Sequence, residues 1–147
     1  MRIQLVRISG FRGIPFCAEY VDAPTPIVKW EDCAFQIKFD TNEPFLYAII
    51  GPNSCGKSSI LYALQYFFSN TTKLADEGAY HLKNTNNPII IEVTLKGKIS
   101  DPAEWLMENC TFIDGEQIVT LVSVTTTTNR QNYVRKPNGV LIKQVPA

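Results

Sequence analysis

The sequence predicts an α/β protein in which one amphipathic helix, entered through a glycine-rich loop, lies on a sheet and is followed by a β-rich second half. Three observations predict it. Residues 45–50 (Phe-Leu-Tyr-Ala-Ile-Ile) form a continuous apolar run ending at Gly51, the pattern of a strand buried on both faces. Beyond it, Ile60, Leu61, Leu64, Phe67 and Phe68 fall at helical offsets on one stripe. Residues 117–145 then read as consecutive strands. At 147 residues the chain suits one domain with one main core.

The remaining elements follow in order. Ile3 and Leu5 alternate with Arg2 and Gln4, which predicts an opening strand over residues 2–8. Phe11-Arg12-Gly13-Ile14-Pro15 breaks it. Residues 17–34 carry Pro24, Pro26, Trp30 and a Glu31-Asp32 pair without either period, so they read as a surface insertion loop with a short strand over 27–30. Phe35, Ile37 and Phe39 alternate with polar residues as a half-buried strand, and residues 41–44 form a turn. A helix over 58–68 follows the glycine-rich loop. Residues 69–88 are polar and Asn-rich, a loop, before Ile89, Ile91, Val93 and Leu95 alternate as a strand. Asp101-Pro102-Ala103-Glu104 has an N-cap, Pro at N1 and a capping-box acid, predicting a short helix to about Cys110. Residues 118–127 are rich in β-branched side chains, and strands over 133–135 and 140–145 flank the turn formers Pro137-Asn138-Gly139.

Fourteen basic residues balance fourteen acidic ones, which excludes a globally basic nucleic-acid binder. The balance is uneven, however. Residues 117–147 hold Arg130, Arg135, Lys136 and Lys143 and no acid, a β-rich basic segment that reads as a solvated face or a contact to the rest of a protein, with contact to a phosphate backbone as the alternative. Cys17, Cys33, Cys55 and Cys110 show no zinc spacing and are too few for a disulfide scaffold, which predicts reduced thiols in a cytoplasmic protein. No apolar run is long enough for a membrane span.

Gly51-Pro52-Asn53-Ser54-Cys55-Gly56-Lys57-Ser58 satisfies G-x-x-x-x-G-K-[ST] in full, a match expected by chance about once in a few hundred chains of this length. Strand, loop and helix occur in the order a P-loop NTPase requires. Gly51 and Gly56 permit backbone conformations that a Cβ would obstruct, so the N–H groups of Asn53, Ser54, Cys55, Gly56 and their successors can converge on phosphate oxygens. The positive end of the following helix adds to that field. Lys57 brings a full charge to the β and γ phosphates of ATP, Ser58 offers its hydroxyl to Mg²⁺, and Ser59 stands where it can reach the α phosphate. The Cys55 thiol, inside the loop, reads as a tolerated small residue.

The order of an opening strand, Phe11-Arg12-Gly13-Ile14, a strand, and Ile49 through Leu61 with its G-x-x-x-x-G-K-S octet resembles the N-terminal end of ABC-type ATPases of the SMC, RecF and OLD (overcoming lysogenization defect) group. The likeness covers about residues 1–70. Pro88-Ile89-Ile90-Ile91-Glu92-Val93 and the acidic segment after it resemble the OLD type more than SMC proteins. The resemblance implies an ATP- and Mg²⁺-binding lobe with a β-rich subdomain around the P-loop helix. In the group, one head's phosphate loop meets a signature motif from a second head or a C-terminal lobe, and ATP hydrolysis is coupled to DNA work, in some cases with an attached nuclease. It also implies that Arg12 lies near the bound nucleotide.

Hydrolysis further needs an acid on the metal and a residue to orient water. Glu92 follows three isoleucines, but alternation turns it away from the buried side. Asp114, after Phe112-Ile113, is no better a candidate. His81 sits in a polar segment with no nucleophile around it and reads as an ordinary surface histidine. The carboxylates at 101, 104, 108, 114 and 116 lack metal-site spacing. The resemblance implies that the missing motifs lie further downstream. The alternatives are a complete small P-loop kinase or NTPase, against which the consecutive strands argue, and a non-catalytic lobe that docks on a partner ATPase or on DNA.

Overall fold

The computed structural model describes residues 2–22, 24–32, 34–39, 57–69, 74–98, 110–113 and 115–143. The phosphate loop up to Gly56, the strand expected over 45–50, most of the helix expected over 101–110, and Asp114 lie outside these residues. Among the described residues the chain forms β1 (Arg2–Ser9), β2 (Ala18–Val21), β3 (Ile27–Trp30), β4 (Phe35–Lys38), α1 (Lys57–Phe67), two 3₁₀ turns (Glu77–Ala79 and His81–Lys83), β5 (Ile89–Gly97), β6 (Thr111–Ile113), β7 (Glu116–Thr125), β8 (Arg130–Arg135) and β9 (Leu141–Lys143). Seven strands make one antiparallel sheet in the order β4-β1-β5-β7-β8-β9, with β6 paired to β7. The described part is thus one helix on an antiparallel sheet, without a parallel α/β layer. No helix among the described residues is long and apolar enough to cross a membrane.

β5 lies at the centre. Ile89, Ile91 and Val93 face one core, shared with Val6, Ile8, Phe11, Ile14, Ala63, Tyr66 and Tyr80. Ile90 faces a second core with Val122, Val124, Tyr133 and Leu141. Covering this second face is the hairpin of β2 and β3, whose Ala18 and Val28 are buried in that core beside half-buried Phe16, Tyr20 and Trp30. The short strand expected over 27–30 is β3, but with β2 it forms a covering layer and not part of the surface loop that the prolines suggest. The prolines sit at the hairpin tip, and the short strands alternate too briefly to show a period.

Two-sided covering also corrects the reading of Glu92. Alternation does turn it from the isoleucine face, but the other face is equally dry, and Glu92 is 3% exposed. Trp30 Nε1 donates to its Oε2 at 2.6 Å, while Arg135 donates through Nη2 to Oε2 at 2.8 Å and through Nε to Oε1 at 3.1 Å. A buried carboxylate needs such partners, because desolvation of an unpaired one is costly. The triad joins the hairpin, the central strand and β8. Nearby, burial and a hydrogen bond with Tyr133 push the Tyr20 phenol above its ordinary range.

Two further expectations shift. In β1 the buried apolar residues are Val6 and Ile8, with Ile3 half-buried on the same core. A bulge between Ile3 and Leu5 moves the inward phase from odd to even positions, as one inserted residue must. In α1 the buried face is Ser59, Ile60, Ala63 and Tyr66, whereas Leu61 and Phe68 are 59% and 56% exposed. Leu64 and Phe67 are half-buried at its edge. Ala63, with no accessible surface, lets the helix lie close to the sheet, and the Tyr66 hydroxyl is hydrogen-bonded to Thr125 Oγ1 at 3.0 Å. The helix is thus rotated from the orientation its larger side chains imply.

Arg130 locks that rotation. It is 8% exposed, its guanidinium lies 4.4 Å from the centroid of the Tyr66 ring, and it donates to Phe67 O at 2.9 Å and Ser123 Oγ at 3.1 Å. A cation at the carbonyl end of α1 is electrostatically favourable. Burial lowers the Arg130 pKa, an effect that Tyr66 partly offsets.

Two outcomes follow for stability. Ile60→Ala should cost about 2 to 4 kcal/mol through lost burial and a residual cavity, while Leu61→Ala stays within about 0.5 kcal/mol of wild type; urea unfolding of both variants checks the helix rotation. Arg135→Met should cost about 3 kcal/mol because it strands the buried Glu92 carboxylate, and adding Glu92→Leu should recover much of that loss. Equal unfolding midpoints for the wild type and Arg135→Met would contradict the triad's role.

Candidate functional site

Of the residues assigned to the phosphate site, Gly51, Asn53, Ser54, Cys55 and Gly56 lie outside the described residues, and Arg12, Lys57, Ser58 and Ser59 lie within them. Lys57 opens α1, so it and the two serines occupy the helix's first turn, where backbone N–H groups have no partner within the helix and the dipole is positive. Lys57 is half-exposed, Ser58 exposed and Ser59 buried. The Ser58 hydroxyl at this helix end suits a metal held mainly by phosphate oxygens and water, with a single protein oxygen added.

The Phe-Arg-Gly turn comes to the same helix end. The Gly13 N–H donates to Ser59 Oγ at 3.3 Å, a contact between residues 46 positions apart. Ser59 thus uses its hydroxyl to hold the turn. Ile14 N–H closes the turn on Phe11 O at 2.9 Å, and Arg12 adopts a left-handed φ of 51°. This conformation is unusual for a residue with a side chain, and such strain persists only where neighbours enforce it. Here the Arg12 N–H donates to Ala79 O at 2.7 Å, and Arg12 O accepts from His81 Nδ1 at 2.7 Å. The exposed Arg12 guanidinium stands 4.0 Å from the centroid of the Tyr62 ring on α1, a cation–π contact.

Arg12 and Tyr62 line an open pocket of about 440 Å³ beside α1, together with Phe11, Gln65, Tyr66 and Asp76. Tyr62 and His81 did not stand out in the sequence. Tyr62 lies outside the apolar stripe, and the partner of His81 is 69 residues away, so no local pattern could have marked either one.

Other candidates separate from this place. Glu92, weighed as a metal-binding acid, is bound by Arg135 and Trp30 beneath the β2–β3 hairpin. The basic segment is not a solvated strip: Arg130 is buried against α1 and Arg135 is paired with Glu92. Among the acids of residues 101–116, Glu116 forms ion pairs with Arg2 at 3.1 Å and Lys96 at 3.8 Å, at the end of the sheet. Cys17 and Cys110 are buried and stand outside any disulfide.

A comparison with curated proteins found no match to the chain. A family model for the AAA ATPase domain matches residues 31–137, a span that includes the whole G-x-x-x-x-G-K-S octet and the strands from β4 to β8. A glycine-rich octet entering a helix, embedded in a family match over most of the sequence, makes this an ATP-binding, P-loop type of domain, and the chain belongs to the AAA ATPase domain family.

Proposed function

We propose that the chain is the N-terminal nucleotide-binding lobe of an ABC-type ATPase of the OLD or SMC kind, which binds ATP with Mg²⁺ and shares its hydrolytic site with a second ATPase head or a C-terminal lobe. One observation carries the reading: the Phe-Arg-Gly turn is tied through Gly13 and Ser59 to the first turn of α1, the turn that bears Lys57, and the Arg12 guanidinium lies against Tyr62 on the same helix. A triphosphate is the ligand that such an arrangement suits.

Within that reading, the backbone N–H groups from Asn53 to Ser59 cradle phosphate oxygens, and Lys57 neutralises charge on the β and γ phosphates. Ser59 contributes its N–H to the α phosphate while its hydroxyl anchors Gly13. Ser58 Oγ holds the metal, and bound Mg²⁺ supplies charge neutralisation and phosphate orientation. Arg12 adds a delocalised charge at the rim of the nest. The group likeness extends the proposal to coupling of ATP turnover to DNA processing in the cytoplasm, in repair or phage defence, with a nuclease domain or subunit as a further partner.

Nucleotide binding is tested by thermal unfolding. ATP–Mg²⁺ at a hundred times its dissociation constant should add about 2.7 kcal/mol, which raises the Tm by about 5 to 10 °C for a domain of this size. Lys57→Ala should abolish the rise, and an unchanged wild-type curve in millimolar ATP–Mg²⁺ would refute binding by this lobe.

Turnover separates the shared site from a complete small enzyme. Phosphoryl transfer depends almost wholly on positioning and charge stabilisation, and Glu92 is committed to Arg135. Phosphate release by the purified chain should therefore stay far below one per second and rise when the complementary lobe is supplied. Release near one per second that disappears in Lys57→Ala would favour a self-sufficient NTPase.

A further inference from the structure

We infer that His81 is a positioning residue for Arg12, holding its backbone in the left-handed turn that carries the guanidinium to Tyr62. This inference rests on the proposed reading of Arg12 as a group at the nucleotide site. The geometry is specific. A carbonyl oxygen only accepts, so the 2.7 Å contact between His81 Nδ1 and Arg12 O requires the proton on Nδ1. His81 is thereby the donor in both its neutral and its cationic form.

The same short segment grips the turn at further points. Ala79 O accepts the Arg12 N–H, Tyr80 bridges Phe11, and the His81 N–H donates to Gly10 O at 3.2 Å. Both backbone polar groups of Arg12 are therefore satisfied by residues 79–81, at a φ that an L side chain rarely adopts. Immediately after His81, Leu82 and Lys83 also take left-handed φ values of 52° and 56°. Two strained turns face each other, and the His81 side chain adds a side-chain link to the backbone hydrogen bonds between them. Gly13 ties the far side of the first turn to α1 through Ser59, and Tyr62 on α1 receives the guanidinium. Loss of the Nδ1 donor leaves the Arg12 carbonyl without that partner and frees the turn to relax to ordinary φ, which carries the guanidinium away from Tyr62.

The test uses the full chain and two readouts. One is ATP–Mg²⁺ affinity by calorimetry in a double-mutant cycle. His81→Leu should weaken binding about 3- to 10-fold, the worth of one neutral hydrogen bond. His81→Asn, whose amide nitrogen can take the place of Nδ1, should stay within about twofold of wild type on the same principle. In an Arg12→Ala background, His81→Leu should change affinity no further, which a general loss of stability would not reproduce.

The second readout needs no nucleotide. Arg12 side-chain protons should show an upfield ring-current shift from Tyr62 in the wild type and in His81→Asn, and lose it in His81→Leu. An unchanged shift in His81→Leu, or an equal loss of affinity with and without the Arg12 side chain, would overturn the inference. A wild type that binds no ATP–Mg²⁺ but behaves as expected in the ring-current experiment removes the nucleotide reading and leaves the positioning role standing.

Discussion

The structure depends on one constraint: β5 is buried on both faces. Ile89 to Thr94 are all buried, so the sheet needs a covering layer on each side. On one side the layer is α1 with the 3₁₀ turns, on the other the β2–β3 hairpin. Each layer is small, and each is secured by a charged group taken out of water and fully partnered. Arg135 and Trp30 satisfy Glu92 under the hairpin, and Arg130 reaches the carbonyl end of α1. A buried charge contributes little net stability, but its partners are specific, so it selects one arrangement of layers over near alternatives.

This arrangement has a consequence at the other end of α1. Arg130 and the Tyr66–Thr125 hydrogen bond set the rotation of the helix on the sheet, and the rotation decides which residues of its first turn face inward. Ser59 turns toward the core side and meets Gly13, while Ser58 stays exposed. Arg130 thus acts on α1 from behind, while Arg135, on the same strand, serves the hairpin layer, so β8 secures both layers.

At the Phe-Arg-Gly turn the strain is local and its enforcement is distant. Arg12 is held from residues 79–81, and the turn itself is held from Ser59, so the guanidinium's position depends on three segments meeting. Small movements in any of them reach Arg12, because its φ is uphill of the ordinary regions. The 3₁₀ segment, which reads as an undistinguished Asn-rich loop, therefore helps to set where Arg12 stands.

Much of this was legible in the sequence, for physical reasons that differ by element. The octet, the helix beyond it, β4, β5 and the C-terminal strands declare themselves because their information is local: a spacing of glycines, a period, a run of β-branched residues. The AAA ATPase domain match agrees with what the octet alone implied. β3 was legible as a short strand, but its place in a covering hairpin, the side of α1 that is buried, the pairing of Glu92 and the link from His81 to Arg12 were not. Glu92 is the clearest case, since alternation says which way a side chain points but not whether that side is covered. Coverage, helix rotation and contacts across 46 to 69 residues are set by what packs against what, and a residue's neighbours in space leave no periodic mark on its neighbours in sequence.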